Sequence, residues 1–238
     1  LLDNGFLEVL KIEGGYKAFR NHVLGFFEQK FKLNIIGGFT GSGKTKILEI
    51  LHAKDCQVID LEGIAHHRGS AFGGIEMGKQ PTVEQFEINL FEEMRQLDLC
   101  REIWMEDESH NIGAVVVPMS LYTQMKNLRT YFLNIPREER AKYLVEEYAS
   151  LGKEDLAFSI DRIKKRLGFD QAKLALEYLD ENDFFNVAMI TLKYYDKFYL
   201  RGLSKHNQAN VHELKLETIN HTENANKLME ALKNEHND

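Results

Sequence analysis

Leu33-Asn34-Ile35-Ile36-Gly37-Gly38-Phe39-Thr40-Gly41-Ser42-Gly43-Lys44-Thr45 is the stretch from which the fold is read. Leu33 to Ile36 is a largely apolar run that reads as a strand, and Gly38 to Thr45 fits the pattern G-x-x-x-x-G-K-[ST], with a helix following to about Ala53. The glycines let the backbone curl so that successive N–H groups point inward at phosphate oxygens, while the following helix presents its positive end. Lys44 adds a full charge for the terminal phosphates, and the Thr45 hydroxyl is placed for Mg2+. The candidate phosphate-binding residues are therefore Gly38, Thr40, Gly41, Ser42, Gly43, Lys44 and Thr45, with Lys44 also a catalytic candidate. The loop leaves its ligand open, because ATP or GTP, a prenyl diphosphate and an inorganic phosphate analogue present similar oxygens.

Working outward, Val9–Ile12 reads as a strand, Tyr16–Gln29 as a helix and Gln57–Leu61 as a strand. Thr82 and Gln85 have capping-box spacing at the start of a helix that ends near Asp98. Strands are expected at Glu102–Met105, Val115–Val117 and Thr130–Ile135, the last stopped by Pro136. Strands alternating with helices imply an α/β fold, a P-loop NTPase-like parallel sheet flanked by helices. From Arg137 to about Arg201 the pattern changes to helices alone, over 137–149, 156–167, 171–179 and 183–198, which reads as a helical insert or cap. A last strand at Val211–Leu216 and a helix at Glu223–Leu232 complete the chain. The expected organisation is a P-loop core over 31–136, the insert over 137–205 and a return to the core over 206–238.

Composition narrows the class. The 238 residues are 43% hydrophobic and 28% charged, ordinary for a globular chain and unlike a disordered or fibrous one. A net charge of −7 excludes a surface coated throughout with polyanion-binding charge, and leaves room for a local basic patch. Cys56 and Cys100 stand in no metal-ligand or redox spacing and suit a reducing cytosol as free thiols. With no apolar run of bilayer length and no signal-peptide order, a cytoplasmic protein without membrane contact is expected.

Two groups of acids accompany the loop. Ile103-Trp104-Met105-Glu106-Asp107-Glu108 reads as an apolar strand ending in carboxylates, as a Walker B strand does, with Asp107 or Glu106 as the functional acid. Asp107 is the expected metal partner of Thr45 and a catalytic candidate. Asp60 and Glu62 end the strand after the P-loop helix and lead into His66-His67-Arg68-Gly69-Ser70. The carboxyl ends of parallel strands are where such sheets bind ligands. There Asp60 can hold a metal-bound water, and Arg68, also a catalytic candidate, can meet a phosphate bidentately. Glu62, His67, Gly69, Ser70, Glu108 and Ser109 complete the expected ligand site. Arg162, Lys165 and Arg166 in one helix of the insert, with Arg137 and Arg140 in another, are candidates for RNA contact or a solvated basic face.

The residues Gly37 to Thr45, Asp60 to Gly73, and Glu106-Asp107-Glu108-Ser109 with Ile112-Gly113 resemble the tRNA 2-selenouridine synthase family over about Leu33 to Arg201. The resemblance implies a two-part enzyme, a rhodanese-like domain with a cysteine followed by a P-loop domain. It implies conversion of wobble 2-thiouridine to 2-selenouridine through an S-geranylated intermediate, with geranyl diphosphate and selenophosphate as substrates and the tRNA anticodon region as partner. Val9 to Arg20 is similar to the last strand and helix of a rhodanese domain, so residues 1–30 are expected to be its remnant and linker. On that reading the chain, which starts at Leu1, is a fragment of a longer transferase.

Overall fold

The strand that precedes the glycine loop is buried at every position, because the sheet it centres is covered on both faces. The computed structural model describes residues 11–70 and 77–235. In chain order the elements are α1 (Gly15–Phe26), β1 (Leu33–Gly38), α2 (Lys44–Ala53), β2 (Gln57–Ile59), α3 (Leu61–Ala65), α4 (Val83–Met94) and β3 (Ile103–Glu106). There follow β4 (Asn111–Ile112), β5 (Val115–Val116), α5 (Met119–Asn127), β6 (Arg129–Asn134), and the insert helices α6 (Arg137–Ser150), α7 (Lys153–Leu167), α8 (Phe169–Asp180) and α9 (Phe184–Leu203). The chain returns through β7 (Val211–Lys215) and α10 (His221–Glu235).

Five strands pair in the order β2-β3-β1-β6-β7, all parallel. After β1 the chain runs to one edge and works back through β3. It then crosses β1 to lay β6 on the other side, so the direction of winding reverses at the carboxyl end of β1, where sheets of this kind form a crevice. Alternation along each strand sends neighbouring side chains to opposite faces. Ile35 and Met105 join Val23, Phe27, Phe86, Leu90, Leu121 and Met125 from α1, α4 and α5. Ile36 and Trp104 join Ile47, Leu51, Ala225 and Leu228 from α2 and α10. The insert has its own core of Leu144, Leu156, Ile160, Ala175, Leu179, Val187 and Leu192.

The α/β class and the helical insert agree with the sequence reading, and the differences are local. The expected strand at Val9–Ile12 lies outside the described residues as far as residue 10, and Lys11 and Ile12 precede α1 without strand structure. Val23 and Phe27 of the first helix are fully buried in the sheet's core, so α1 packs as part of the α/β layer. Val115 forms a two-residue antiparallel hairpin with Ile112 apart from the main sheet, where a sheet strand was expected. The sequence reading assigns nothing between Val117 and Thr130, yet α5 occupies it. Pro118, with φ −50°, occupies its N-cap, and Leu121 and Met125, one turn apart, bury against the sheet.

Candidate phosphate-binding site

Gly41 and Gly43 adopt φ of 77° and 74°, the left-handed region that only glycine enters freely, and they curl the chain between β1 and α2. Gly43 is the N-cap of α2 and no side chain caps that helix, which leaves its first N–H groups open to an anion. Lys44 Nζ donates to the Gly38 carbonyl at 3.3 Å and is held across the mouth of the loop. Ser42 Oγ is buried in the turn without a hydrogen-bond partner among the described residues. A loop with unspent N–H groups, a cation and an orphaned buried hydroxyl fits a phosphate group.

Thr45 Oγ1 lies 3.2 Å from Glu106 Oε1 and 3.3 Å from Glu62 Oε2. Glu106 Oε2 accepts from the backbone N–H of Leu61 at 3.1 Å, which ties the end of β3 to the start of α3. Glu62 Oε1 in turn accepts from Gly69 N at 2.6 Å. Glu106 is fully buried, and burial with the neighbouring charges of Glu62, Asp60 and Glu108 holds its carboxyl well above the usual range. Burial, then Glu62, pushes Glu108 up to about 8, with Lys44 opposing. Carboxyls crowded in this way seek a proton or a cation. The hard oxygen donors Thr45, Glu106 and Glu62 suit Mg2+, which keeps several waters and takes one or two protein ligands beside a substrate phosphate. Among the described residues no three His, Cys, Asp or Glu side chains are gathered to hold a metal by themselves.

Asp107 was the expected metal partner, and the structure corrects this. One residue beyond Glu106, its carboxylate turns to the other side of the strand end. Lys126 Nζ donates to Oδ1 at 2.6 Å, His206 Nε2 stands 3.0 Å from the same oxygen, and the Tyr199 hydroxyl donates to Oδ2 at 2.8 Å. Burial alone would raise its pKa, but the His206 hydrogen bond and the Lys126 charge outweigh burial and hold Asp107 at about 2. The Tyr199 hydroxyl also accepts from Gly38 N at 2.9 Å. This approach requires Gly37, since a Cβ there would stand 2.6 Å from the hydroxyl oxygen. Tyr199, Lys126 and His206 thus fasten the first turn of the loop to β3 and to the insert, and sequence reading missed all three as a unit because they come from α9, α5 and the segment before β7.

Arg140 is a second correction. It is 2% exposed, bonds both oxygens of Asp196 at 2.8 and 3.0 Å, and donates to the carbonyls of Thr40 at 3.1 Å and Ile135 at 3.0 Å. Its guanidinium lies 4.7 Å from the Phe39 ring centroid. It therefore braces the outside of the loop and is out of reach of RNA. Arg137 Nε shares Asp196 at 2.9 Å. Asp60 spends Oδ1 on the N-cap of α3, accepting from Gly63 N at 2.7 Å. Ser109 Oγ donates to Asn111 O at 2.5 Å just before the hairpin, and the Ser70 N–H donates to the Arg68 carbonyl. Arg68 is exposed, while His67 is half-buried with Nδ1 unpartnered among the described residues. Arg162, Lys165 and Arg166 are exposed on α7. Cys56 and Cys100 precede β2 and β3, at the amino ends of the strands and away from the loop.

A family model described as the tRNA 2-selenouridine synthase AAA domain matches residues 31–230. The chain belongs to this family. The tRNA 2-selenouridine synthase of Hydrogenovibrio crunogenus is 36% identical over 201 residues, 76% of this chain and 54% of that protein. Those of Sulfurovum sp. and Shewanella woodyi are 34% and 32% identical over 202 and 229 residues, covering 54% and 60% of their own lengths. The chain thus spans about half the length of the synthases it matches. Among solved structures, the tRNA isopentenylpyrophosphate transferase of Bacillus halodurans aligns with 87% of this chain and 100% of its own at 15% identity and a TM-score of 0.38. A likeness that low leaves the fold to be argued from the strand order alone. Among the described residues no helix is long and apolar enough to cross a membrane.

Proposed function

We propose that this chain is the phosphate-substrate portion of a tRNA-modifying transferase that converts wobble 2-thiouridine to 2-selenouridine by way of S-geranyl-2-thiouridine. The observation that carries the reading is the meeting of Lys44 and the uncapped start of α2 with Thr45 and Glu106 at the carboxyl ends of β1 and β3. Family membership supports a tRNA substrate. A diphosphate is the ligand that uses both halves of such a site, one part in the N–H cradle and one against a cation.

In the geranyl step the thiocarbonyl sulfur of the base attacks the allylic carbon, the S–C bond forms as the C–O bond breaks, and pyrophosphate leaves with the electron pair. The loop N–H groups and Lys44 stabilise the charge that grows on the leaving oxygens. When bound, Mg2+ held by Thr45 and Glu106 would add charge neutralisation at the same oxygens. No protein nucleophile is required there. The selenium step is assigned to selenophosphate with a rhodanese-like cysteine, since Cys56 and Cys100 stand at the amino ends of β2 and β3, away from the loop. Arg68, Gly69 and Ser70 are proposed to close on the phosphate from the α3 side.

Calorimetric titration with geranyl diphosphate, selenophosphate and ATP, each with and without Mg2+, tests this. Geranyl diphosphate or selenophosphate binding is expected to weaken by about 1.5–3 kcal/mol in Lys44→Ala, the scale of a charge-assisted hydrogen bond. Unchanged affinity for every phosphate ligand removes the site assignment. Tight Mg-ATP or Mg-GTP binding with turnover, and none of the two transfer substrates, would favour the nucleotide-hydrolysing alternative that the P-loop also permits.

A further inference from the structure

Beside the His66–Gly69 loop lies a cleft of about 400 Å3 between the core and the insert, lined by His66, His67, Gln80, Gly113 and Arg162. Its floor is rigid. Gln80 donates to the carbonyls of Ala65 at 2.9 Å and Ile112 at 3.0 Å and accepts from Ala114 N at 2.8 Å, which locks the α3 end to the β4–β5 hairpin. Gly113 has φ 60°, and a Cβ there would stand 2.1 Å from Gln80 Oε1 and 2.7 Å from His67 Cδ2, so the floor admits no side chain at that point. His67 Nδ1 is buried and finds no partner among the described residues, an unspent hydrogen-bonding group in the wall of the cleft.

Arg162 reaches this cleft from α7, and the same exposed face of α7 carries Phe158, Lys165 and Arg166 at spacings of four, three and four residues from Arg162. Phe158 is 65% exposed, and Phe169 at the α7–α8 corner is 66% exposed. The buried stripe Leu156, Ser159, Ile160 and Ile163 faces the insert core, so this outer face takes no part in packing the insert. Nearby Lys164 pairs with Asp161 at 2.6 Å, whereas no ion pair with a described residue is found for Arg162, Lys165 or Arg166. Uncovered aromatic rings interleaved with cations that have no ion pair among the described residues offer what single-stranded nucleic acid needs, rings for stacking bases and cations for phosphates.

We propose that the exposed face of α7 docks an unpaired RNA loop and that the cleft between Arg162 and His67 receives one of its nucleotides. The cleft volume falls in the range of small-molecule sites and accommodates an extruded nucleotide. In it, Arg162 meets the phosphate and the His67 ring reads or stacks on the base. This assignment rests on the tRNA reading above and adds to it the place where the RNA enters.

The test is fluorescence anisotropy of a labelled tRNA transcript against the whole chain between 50 and about 200 mM salt, the span over which phosphate contacts lose affinity, with inorganic pyrophosphate binding measured alongside. Phe158→Ala, Arg162→Ala and His67→Gln change exposed or half-buried side chains, and circular dichroism checks their fold. Arg162→Ala is expected to weaken RNA binding roughly five-fold or more and to lower the salt slope by about one ion. Phe158→Ala is expected to weaken it about as much with no change in slope, as loss of stacking does. Lys173→Ala, on α8 and paired with Glu177, serves as the control and keeps wild-type values. Wild-type slope and affinity in all three cleft and ridge variants, with RNA still bound, overturn this site alone. If the wild-type chain binds no RNA, the tRNA reading falls with it.

Discussion

Replacing Glu108 by Gln probes the acid cluster directly. The Glu108 carboxyl is buried beside Glu62 and Asp107 and held at about 8, against 4.5 for an ordinary glutamate. The folded chain therefore keeps its proton to higher pH than the unfolded chain does, and between these values it binds more protons. Stability from this group is full below pH 4.5 and is lost as pH rises toward 8. Each pH unit across this range carries about 1.4 kcal/mol, so the loss amounts to a few kcal/mol. Gln keeps the shape and cannot ionise, so Glu108→Gln should diverge from wild type by up to about 1.4 kcal/mol per pH unit between pH 5.5 and 7.5. Burial lowers the pKa of His67 and of His221 and gives each the opposite slope near its ordinary value of 6.5, but these contributions cancel in the difference between the two proteins. Urea unfolding followed by Trp104, the chain's single tryptophan and 2% exposed, supplies the measurement. Parallel stability curves for wild type and variant across this range would refute the reasoning, because they would mean that Glu108 ionises as freely in the folded chain as in the unfolded one.

Tyr199→Phe removes the acceptor for Gly38 N and the donor to Asp107, and is expected to cost about 1–3 kcal/mol in urea unfolding and to weaken pyrophosphate binding several-fold. Unaltered stability and affinity would show that this hydroxyl does not hold the loop. Arg140→Met leaves Asp196 buried with only Arg137, and should destabilise the fold by about 3–5 kcal/mol while the salt slope of tRNA binding stays at its wild-type value. A lowered slope with intact stability would return Arg140 to the RNA surface.

The phosphate loop, its flanking strand and helix, and the change from alternating elements to helices after Pro136 were legible because their causes are local. Positive φ demands glycine at residues 41 and 43, and apolar runs declare strands over a few residues whatever lies around them. The short α5 escaped notice because its apolar signal rests on Leu121 and Met125, a single helical repeat. The identity of the acid beside Thr45 was decided by tertiary structure alone. Glu106 and Asp107 are adjacent and chemically alike, but alternation at the end of β3 sends one toward α3 and the other toward α5 and α9. Only the packed sheet sets which side faces the loop. Arg140 likewise reads as one more cation in a basic helix until the fold brings Asp196 from α9 against it, 56 residues away along the chain. The sequence by itself determined the glycine loop proposed to grip a phosphate and where along the chain it lies. The tertiary structure determined which charges are left free to act on it, since burial and pairing between distant segments consume the rest.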